Sequence, residues 1–155
     1  MENEEFNANE FIEELRTVLS NTAKNDVSTS GIDKYRKELE EDTEITIHNI
    51  RDKSLRLPAT QAKWVGYYVE EKTQLKRVSE IRQKYMASKT AKEVNTDAFA
   101  KLKTNAAPDE KLKAIDKVKN ELELTIEYIR EAMNILSGMG FNIKNSIEIF
   151  KMENA

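Results

Sequence analysis

The apolar residues of this chain recur mostly every three or four positions, which predicts a mainly α-helical protein. The longest such series spans about three heptads and indicates a helix that begins near Pro108 and packs along an apolar seam. The seam consists of Ile115, Val118, Leu122, Ile126, Ile129, Met133 and Leu136. Gly138 and Gly140 are predicted to end this helix, and Asn142 is predicted to cap a short terminal one.

A second long helix is predicted from Pro58 to about Lys92, because proline suits a first helical turn and no later proline interrupts the segment. Its apolar positions between Ala62 and Tyr85 form one packing face. At 1.5 Å per residue this helix would span ~50 Å, which indicates an elongated protomer. The basic residues Lys76, Arg77, Arg82 and Lys84 fall mostly off the packing face.

The polar pattern divides the chain into an arm and a domain. Residues 5–20 read as a short amphipathic helix and residues 21–32 as a polar linker, so 1–32 is predicted to be an acidic, partly flexible N-terminal arm. Residues 33–155 are the predicted helical domain. Residues 43–50 alternate polar and β-branched side chains, which fits a short strand or hairpin, whereas the helix-forming residues before them favour a helix. Both interpretations remain open.

Charge is unevenly distributed along the sequence. The net charge is −3, yet residues 51–92 contain eleven basic and four acidic residues, whereas residues 1–50 contain five basic and thirteen acidic ones. The basic tract also holds Trp64 and three of the five tyrosines. Basic residues beside aromatic rings are typical of single-stranded nucleic acid binding. A run of basic residues is also typical of a solvated helix face. Aromatic residues four positions apart on a helix, such as Trp64 and Tyr68, more often pack in a core.

The sequence offers no candidate catalytic or metal site. It has no cysteine and only one histidine, it has no glycine-rich phosphate loop, and its paired acids are sequence neighbours that point apart on a helix. We therefore predict a protein that is not an enzyme and needs no cofactor. No apolar run approaches the ~20 residues of a membrane span, and the acidic N-terminus is unlike a signal peptide, which predicts a cytoplasmic protein without membrane contact.

Several short stretches match one known family. The stretch Ala132–Lys144, which contains Gly-Phe-Asn-Ile-Lys, resembles the C-terminal region of the UvsY recombination mediators of T4-like phages, and the similarity runs back to Lys103-Thr104. Lys63-Trp64 resembles the start of that family's basic helix. Arg82-Gln83-Lys84 before Tyr85 resembles, with a one-residue gap, its DNA-binding basic pair. The resemblance covers about residues 33–155 and excludes the arm, and the connector before Lys103 lacks the family's glycine-rich stretch.

The resemblance implies a function. UvsY-like proteins form ring-like homo-oligomers, described as hexamers or heptamers, and bind single-stranded DNA. They contact a RecA-like phage recombinase and the phage single-strand-binding protein, and they promote loading of the recombinase onto DNA that the latter covers. The implied location is the cytoplasm of the infected bacterial host. The alternative is a structural helical oligomer, such as a phage assembly or scaffolding protein, without DNA binding.

Two sets of candidate residues follow from charge, periodicity and resemblance. The predicted nucleic-acid-binding residues are Lys63, Lys76, Arg77, Arg82, Lys84 and Lys89. One polar chain of this size cannot easily cover its apolar seam, so the seam and the apolar residues after it are predicted to join subunits. The predicted oligomerisation residues are Ile115, Val118, Leu122, Ile126, Ile129, Met133, Leu136, Phe141, Ile147 and Phe150.

Overall fold

A computed structural model describes residues 31–94 and 109–155, without the side chains of 91–94. The predicted N-terminal arm therefore lies outside the described residues. Within them the chain forms three helices: α1 (Gly31–Thr43), α2 (Ile50–Val94) and α3 (Glu110–Glu153). No strand occurs in these two ranges. The mainly α-helical prediction is confirmed.

The strand interpretation of residues 43–50 is wrong, because this segment turns the chain between two helices. Thr46 and Asn49 form a reciprocal cap: the Thr46 amide donates to Asn49 Oδ1 (2.8 Å), and the Asn49 amide donates to Thr46 Oγ1 (3.2 Å). Ile45 and Ile50 occupy the flanking positions of a hydrophobic staple, and both pack against the same core. The alternating apolar residues thus mark a helix start rather than a sheet face.

Helix α2 begins eight residues before the predicted start, and Pro58 lies inside it. An interior proline removes one backbone hydrogen bond and costs roughly 3 kcal/mol in an isolated helix. The upstream cap and the packing on either side of Pro58 offset this cost. Leu57 packs against the core, and Gln61 Nε2 donates to the Leu136 carbonyl oxygen (3.2 Å).

Helix α3 continues through Gly138 and Gly140, so the predicted helix end there and the separate helix capped by Asn142 are wrong. Each interior glycine costs about 1 kcal/mol relative to alanine. Met139 and Ile143 are buried next to and beyond the glycines. Their burial in the tertiary core stabilises helical backbone that the local sequence alone would end.

Alanine in place of Gly138 is expected to raise the free energy of unfolding by about 0.5–1 kcal/mol. A Cβ atom at this position would have no neighbouring atom within 4 Å, so the gain in helix propensity meets no clash. Urea unfolding followed by circular dichroism measures the change. Destabilisation by Gly138→Ala would contradict a continuous α3 and would instead support a helix end that requires a left-handed residue.

The described residues pack into two units. The aromatic unit comprises residues 31–72 and 123–155, and the basic unit comprises the described residues between 73 and 122. In the aromatic unit, α1 and the first part of α2 pack with the second part of α3. Its core consists of Tyr35, Leu39, Trp64, Ile129, Ala132, Leu136, Met139 and Ile143.

The basic unit is an antiparallel pair formed by the second part of α2 and the first part of α3. Leu75 and Tyr85 lie at the edges of its core, which consists of Val78, Ile81, Ile115, Val118 and Leu122. Later residues of α2 contact earlier residues of α3, since Arg82 bonds to Asp116 and Lys89 to Asp109. The pair thus positions a basic helix segment on a small apolar core.

Most of the predicted oligomerisation seam is buried within the chain itself. The buried members are Ile115, Val118, Leu122, Ile126, Ile129 and Leu136. Met133 is half-buried against the aromatic core. Phe141 and Ile147 are exposed and Phe150 is half-buried. Of the predicted set, these last three therefore have apolar surface to offer another chain, and Ile149 and Met152 nearby are also exposed.

Candidate nucleic-acid interface

Trp64 packs in the core of the aromatic unit. Its side chain is fully buried, its ring lies 5.9 Å from that of Tyr35 and 5.5 Å from that of Tyr67, and its indole Nε1 donates to Asp42 Oδ2 (2.8 Å). A ring with no exposed face cannot stack on a nucleotide base. The choice between base stacking and core packing is thereby settled for Trp64 in favour of packing.

Lys63 is held by two carboxylates of α1. Its Nζ lies 2.7 Å from Asp42 Oδ2 and 3.0 Å from Glu38 Oε1, and Glu38 also accepts a hydrogen bond from the Tyr67 hydroxyl (2.7 Å). Burial alone would lower the pKa of Lys63, but the bonds to Asp42 and Glu38 outweigh it and raise the pKa. Lys63 therefore joins α1 to α2, and because its charge is already paired with two carboxylates, it is a poor candidate for a phosphate contact.

Two tyrosines of this unit, Tyr35 and Tyr67, also bond to carboxylates. The Tyr35 hydroxyl donates to Glu71 Oε1 (2.9 Å), and burial together with Glu71 raises the pKa of Tyr35 well above its usual range. Burial and the bond to Glu38 raise the pKa of Tyr67 to about 12. Both phenols are therefore neutral hydrogen-bond donors, Tyr35 to a carboxylate of α2 and Tyr67 to one of α1.

Two predicted DNA-binding residues of the basic unit form ion pairs with α3. Arg82 Nε lies 2.8 Å from Asp116 Oδ1, and Lys89 Nζ lies 3.1 Å from Asp109 Oδ2. Arg82 uses only its Nε in this contact, which leaves its terminal guanidinium nitrogens available to an anion. Both side chains are partly exposed, so the pairs are weak and can be exchanged.

Asp109 is the N-cap of α3, which confirms the helix start predicted at Pro108–Glu110. Its Oδ1 accepts the Leu112 amide (3.1 Å), and its Oδ2 accepts the Tyr85 hydroxyl (2.7 Å) as well as Lys89. The Tyr85 bond, followed by those from the Leu112 amide and Lys89, lowers the pKa of Asp109 to about 2. One carboxylate thus joins the two helices of the basic unit.

Loss of this carboxylate is expected to destabilise the protein in a pH-dependent way. Asp109→Ala should cost about 1–2 kcal/mol at pH 7, because it removes a cap and two interhelical bonds. Since the folded state holds the pKa of Asp109 below the ordinary 3.8, the stabilisation is present above about pH 4 and is lost as the pH falls toward 2. Urea unfolding of the parent and Asp109→Ala at pH 7 and near pH 2 measures this stabilisation at each pH. Asp109→Asn, which can still cap the helix but has no charge, should lose only part of the stabilisation at pH 7. An equal effect of Asp109→Ala at both pH values would contradict this role.

Three predicted DNA-binding residues remain without a carboxylate partner among the described residues. Lys76, Arg77 and Lys84 are exposed on α2 in the basic unit, and none forms an ion pair there. Arg77 and Lys84 are seven residues apart and therefore share one side of the helix. Glu80 is the one acidic residue between them in sequence. We call Lys76, Arg77 and Lys84 the cation row.

The structure divides the predicted set and adds to it. Lys63 is paired with Glu38 and Asp42 of α1. In the basic unit, Arg82 is paired with Asp116, 34 residues away along the chain, and Lys89 with Asp109, 20 residues away. Sequence reasoning also missed Lys111 and Lys117, which are exposed on α3 of the basic unit. The sequence does contain a basic pattern there, with lysines at 111, 113, 117 and 119. The acidic residues among and beside them bring the net charge of the segment close to zero, so the pattern does not stand out in the charge distribution.

Two other kinds of site are absent from the described ranges. No helix there is long and apolar enough to cross a membrane. Within those same ranges, no group of three histidine or acidic side chains is placed to hold a metal ion. Lys76, Arg77 and Lys84 are exposed and positively charged, so the ligand that the cation row favours by its charge is an anion.

Comparison with known proteins identifies a family. No curated protein and no solved structure shows detectable similarity to this chain. The family model described as "Recombination, repair and ssDNA binding protein UvsY" matches residues 38–155, a range that includes the described parts of both units apart from the first seven residues of α1. Because the match covers most of the sequence, the chain belongs to the UvsY family of recombination, repair and single-stranded-DNA-binding proteins.

Proposed function

We propose that this protein is a recombination mediator: it binds single-stranded DNA and promotes loading of a RecA-like phage recombinase onto DNA covered by single-strand-binding protein. The observation that carries the DNA-binding step is the cation row, three exposed positive side chains without a carboxylate partner in the described ranges. Family membership supports the same step. The site of action is the cytoplasm of the infected host.

The chemistry of the basic unit favours contacts to the DNA backbone. Lysine and arginine bind phosphates through charge and proximity alone, without reading bases. Trp64, the only tryptophan of the basic tract, is fully buried and offers no ring face to a base. Binding is therefore tolerant of sequence and strongly dependent on salt.

Self-association strengthens such binding. A ring homo-oligomer, a hexamer or heptamer, repeats the cation row in each subunit, so weak contacts add through multivalency. The exposed apolar residues Phe141, Ile149 and Met152 near the end of α3 supply surface for such subunit contacts. We propose no enzymatic role, because the sequence has no cysteine, a single histidine and no glycine-rich phosphate loop.

A second candidate, the structural helical oligomer without DNA binding, has one observation in its favour. Lys63, Arg82 and Lys89, half of the predicted DNA-binding set, are matched by acidic residues of the same chain. Titration of single-stranded oligonucleotides at several salt concentrations separates the two functions. Absence of binding at low salt would favour the structural role.

The same titration tests the placement of the site. Glu80→Gln removes one negative charge within four residues of each member of the cation row, so we expect severalfold tighter binding of single-stranded DNA at low salt. Glu131→Gln, which neutralises an exposed carboxylate on α3 of the aromatic unit, is the matched control. Equal effects of the two substitutions would argue against a site at the cation row.

The loading step requires its own assay. In a mixture of recombinase, single-strand-binding protein and DNA, the protein is expected to shorten the delay before the recombinase hydrolyses ATP on the covered strand. A protein that binds DNA but leaves this delay unchanged would be a DNA-binding protein and not a mediator.

A further inference from the structure

Among the described residues, no carboxylate forms an ion pair with the cation row, so its positive charge is left for another part of the chain or for a ligand to neutralise. Lys76, Arg77 and Lys84 are exposed, whereas the carboxylates of Asp109 and Asp116 in the same unit are already bonded to Lys89 and Arg82. Like charges at this spacing repel one another, so a nearby anion stabilises the row. DNA is one such anion, and the chain carries another.

The second anion is the start of the N-terminal arm, which lies outside the described residues and outside the family match. Before its first basic residue, Arg16, the arm has six acidic residues: Glu2, Glu4, Glu5, Glu10, Glu13 and Glu14. Such a density of carboxylates offers a basic helix the same kind of contact as a run of phosphates. The polar residues 21–30 then connect this stretch to the start of α1.

We propose that the acidic stretch 2–14 docks on the cation row and competes there with single-stranded DNA. This inference rests on the proposed DNA-binding function. It states how the affinity of that same site for DNA is regulated. Because the arm is tethered, its effective concentration near the row is on the order of 1 mM. If the contact has a dissociation constant of roughly 0.1–1 mM, DNA affinity falls about two- to tenfold.

Salt dependence gives the competition a signature. DNA that binds a vacant cation row releases the counterions of the neutralised phosphates. DNA that must displace the arm releases fewer ions overall, because the freed carboxylates attract cations again. The full chain should therefore have a shallower salt dependence than a chain with a neutral arm, and the two affinities should converge as salt rises.

The first test compares two full-length variants with the same change in net charge. One replaces the six glutamates of the arm by glutamine. The control replaces six exposed glutamates of the aromatic unit: Glu40, Glu41, Glu44, Glu127, Glu131 and Glu148. Neutralising the arm should tighten DNA binding two- to tenfold at low salt, and the control should change it much less. Equal effects, or no effect of the arm, would overturn the inference while leaving the proposed function intact.

A second measurement needs no DNA binding. A carbodiimide that joins touching carboxylates and amines should link arm glutamates to Lys76 or Lys84 in the DNA-free protein, and mass spectrometry identifies the linked peptides. Lys34 is exposed and is closer to the arm in sequence than Lys76 and Lys84 are. Links to Lys34 therefore measure how often the arm reaches a nearby lysine by chance. Links to Lys34 alone would overturn the inference. If parent and arm variant both fail to bind DNA while links to Lys76 or Lys84 form, the proposed function fails and the arm contact stands.

Discussion

Replacing Lys76, Arg77 and Lys84 together by glutamine is expected to lower the affinity for single-stranded DNA by about 30- to 100-fold at low salt. Three exposed contacts between a cation and a phosphate, each worth about 0.7–0.9 kcal/mol, account for this factor, since about 1.4 kcal/mol corresponds to tenfold. The slope of log affinity against log salt should fall by about 2, because each lost phosphate contact removes about 0.7 for single strands. Fluorescence anisotropy with a labelled oligonucleotide over a salt series measures both quantities.

The control for this experiment removes the same charge from another surface. Lys34, Arg36 and Lys37 are exposed on α1, so their joint replacement by glutamine lowers the net charge equally without touching the cation row. This control should weaken binding much less, because it removes no phosphate contact of the cation row. If the two triple variants lose affinity equally, binding depends on net charge and not on the cation row.

Trp64→Ala is expected to lower the free energy of unfolding by about 3–5 kcal/mol, the usual cost of removing a large aromatic side chain from a core. The ring is fully buried, and its indole nitrogen bonds to Asp42. Trp64→Phe keeps most of the packing and should cost less, because Asp42 retains its bond to Lys63. Urea unfolding followed by far-ultraviolet circular dichroism measures both variants.

Val65→Ala is the matched control for Trp64. Val65 is the next residue on α2 but is exposed, so its truncation should change the unfolding free energy by less than about 0.5 kcal/mol. Trp64→Phe should also leave the salt slope of DNA binding unchanged. A Trp64 variant with parental stability and weakened DNA binding would contradict core packing and restore base stacking.

Local sequence signals predicted the helical fold well and the helix ends only in part. The Asp109 cap was predictable because a cap depends on a few neighbouring residues. The continuity of α3 through Gly138 was not, since the burial of Met139 and Ile143 depends on the tertiary core. At residues 43–50, the alternation of polar and β-branched side chains is compatible with a strand and also with a capped helix start. The alternation alone does not distinguish the two structures.

The candidate site shows the same division between local and distant information. The basic character of α2 follows from composition, and its exposed face follows from helical spacing. Whether a given cation is free depends on a partner far along the sequence: Lys63 meets Asp42, and Arg82 meets Asp116, 34 residues away. Lys76 and Lys84 lie on the same basic helix as these paired residues, and nothing in their sequence neighbours marks them as free. Only the packing of the helices distinguishes them.

The two cores differ in size, and the difference bears on how the protein can adapt to DNA. Among the described residues, five buried side chains form the core of the basic unit, whereas eight form that of the aromatic unit. A segment with less buried apolar surface opens locally at a lower free energy. The cation row, the proposed DNA site, lies on the segment with the smaller described core, so we expect its side chains and backbone to adjust to the irregular path of a flexible strand. The aromatic unit, with its buried rings and ion pairs, can keep its structure while they do so.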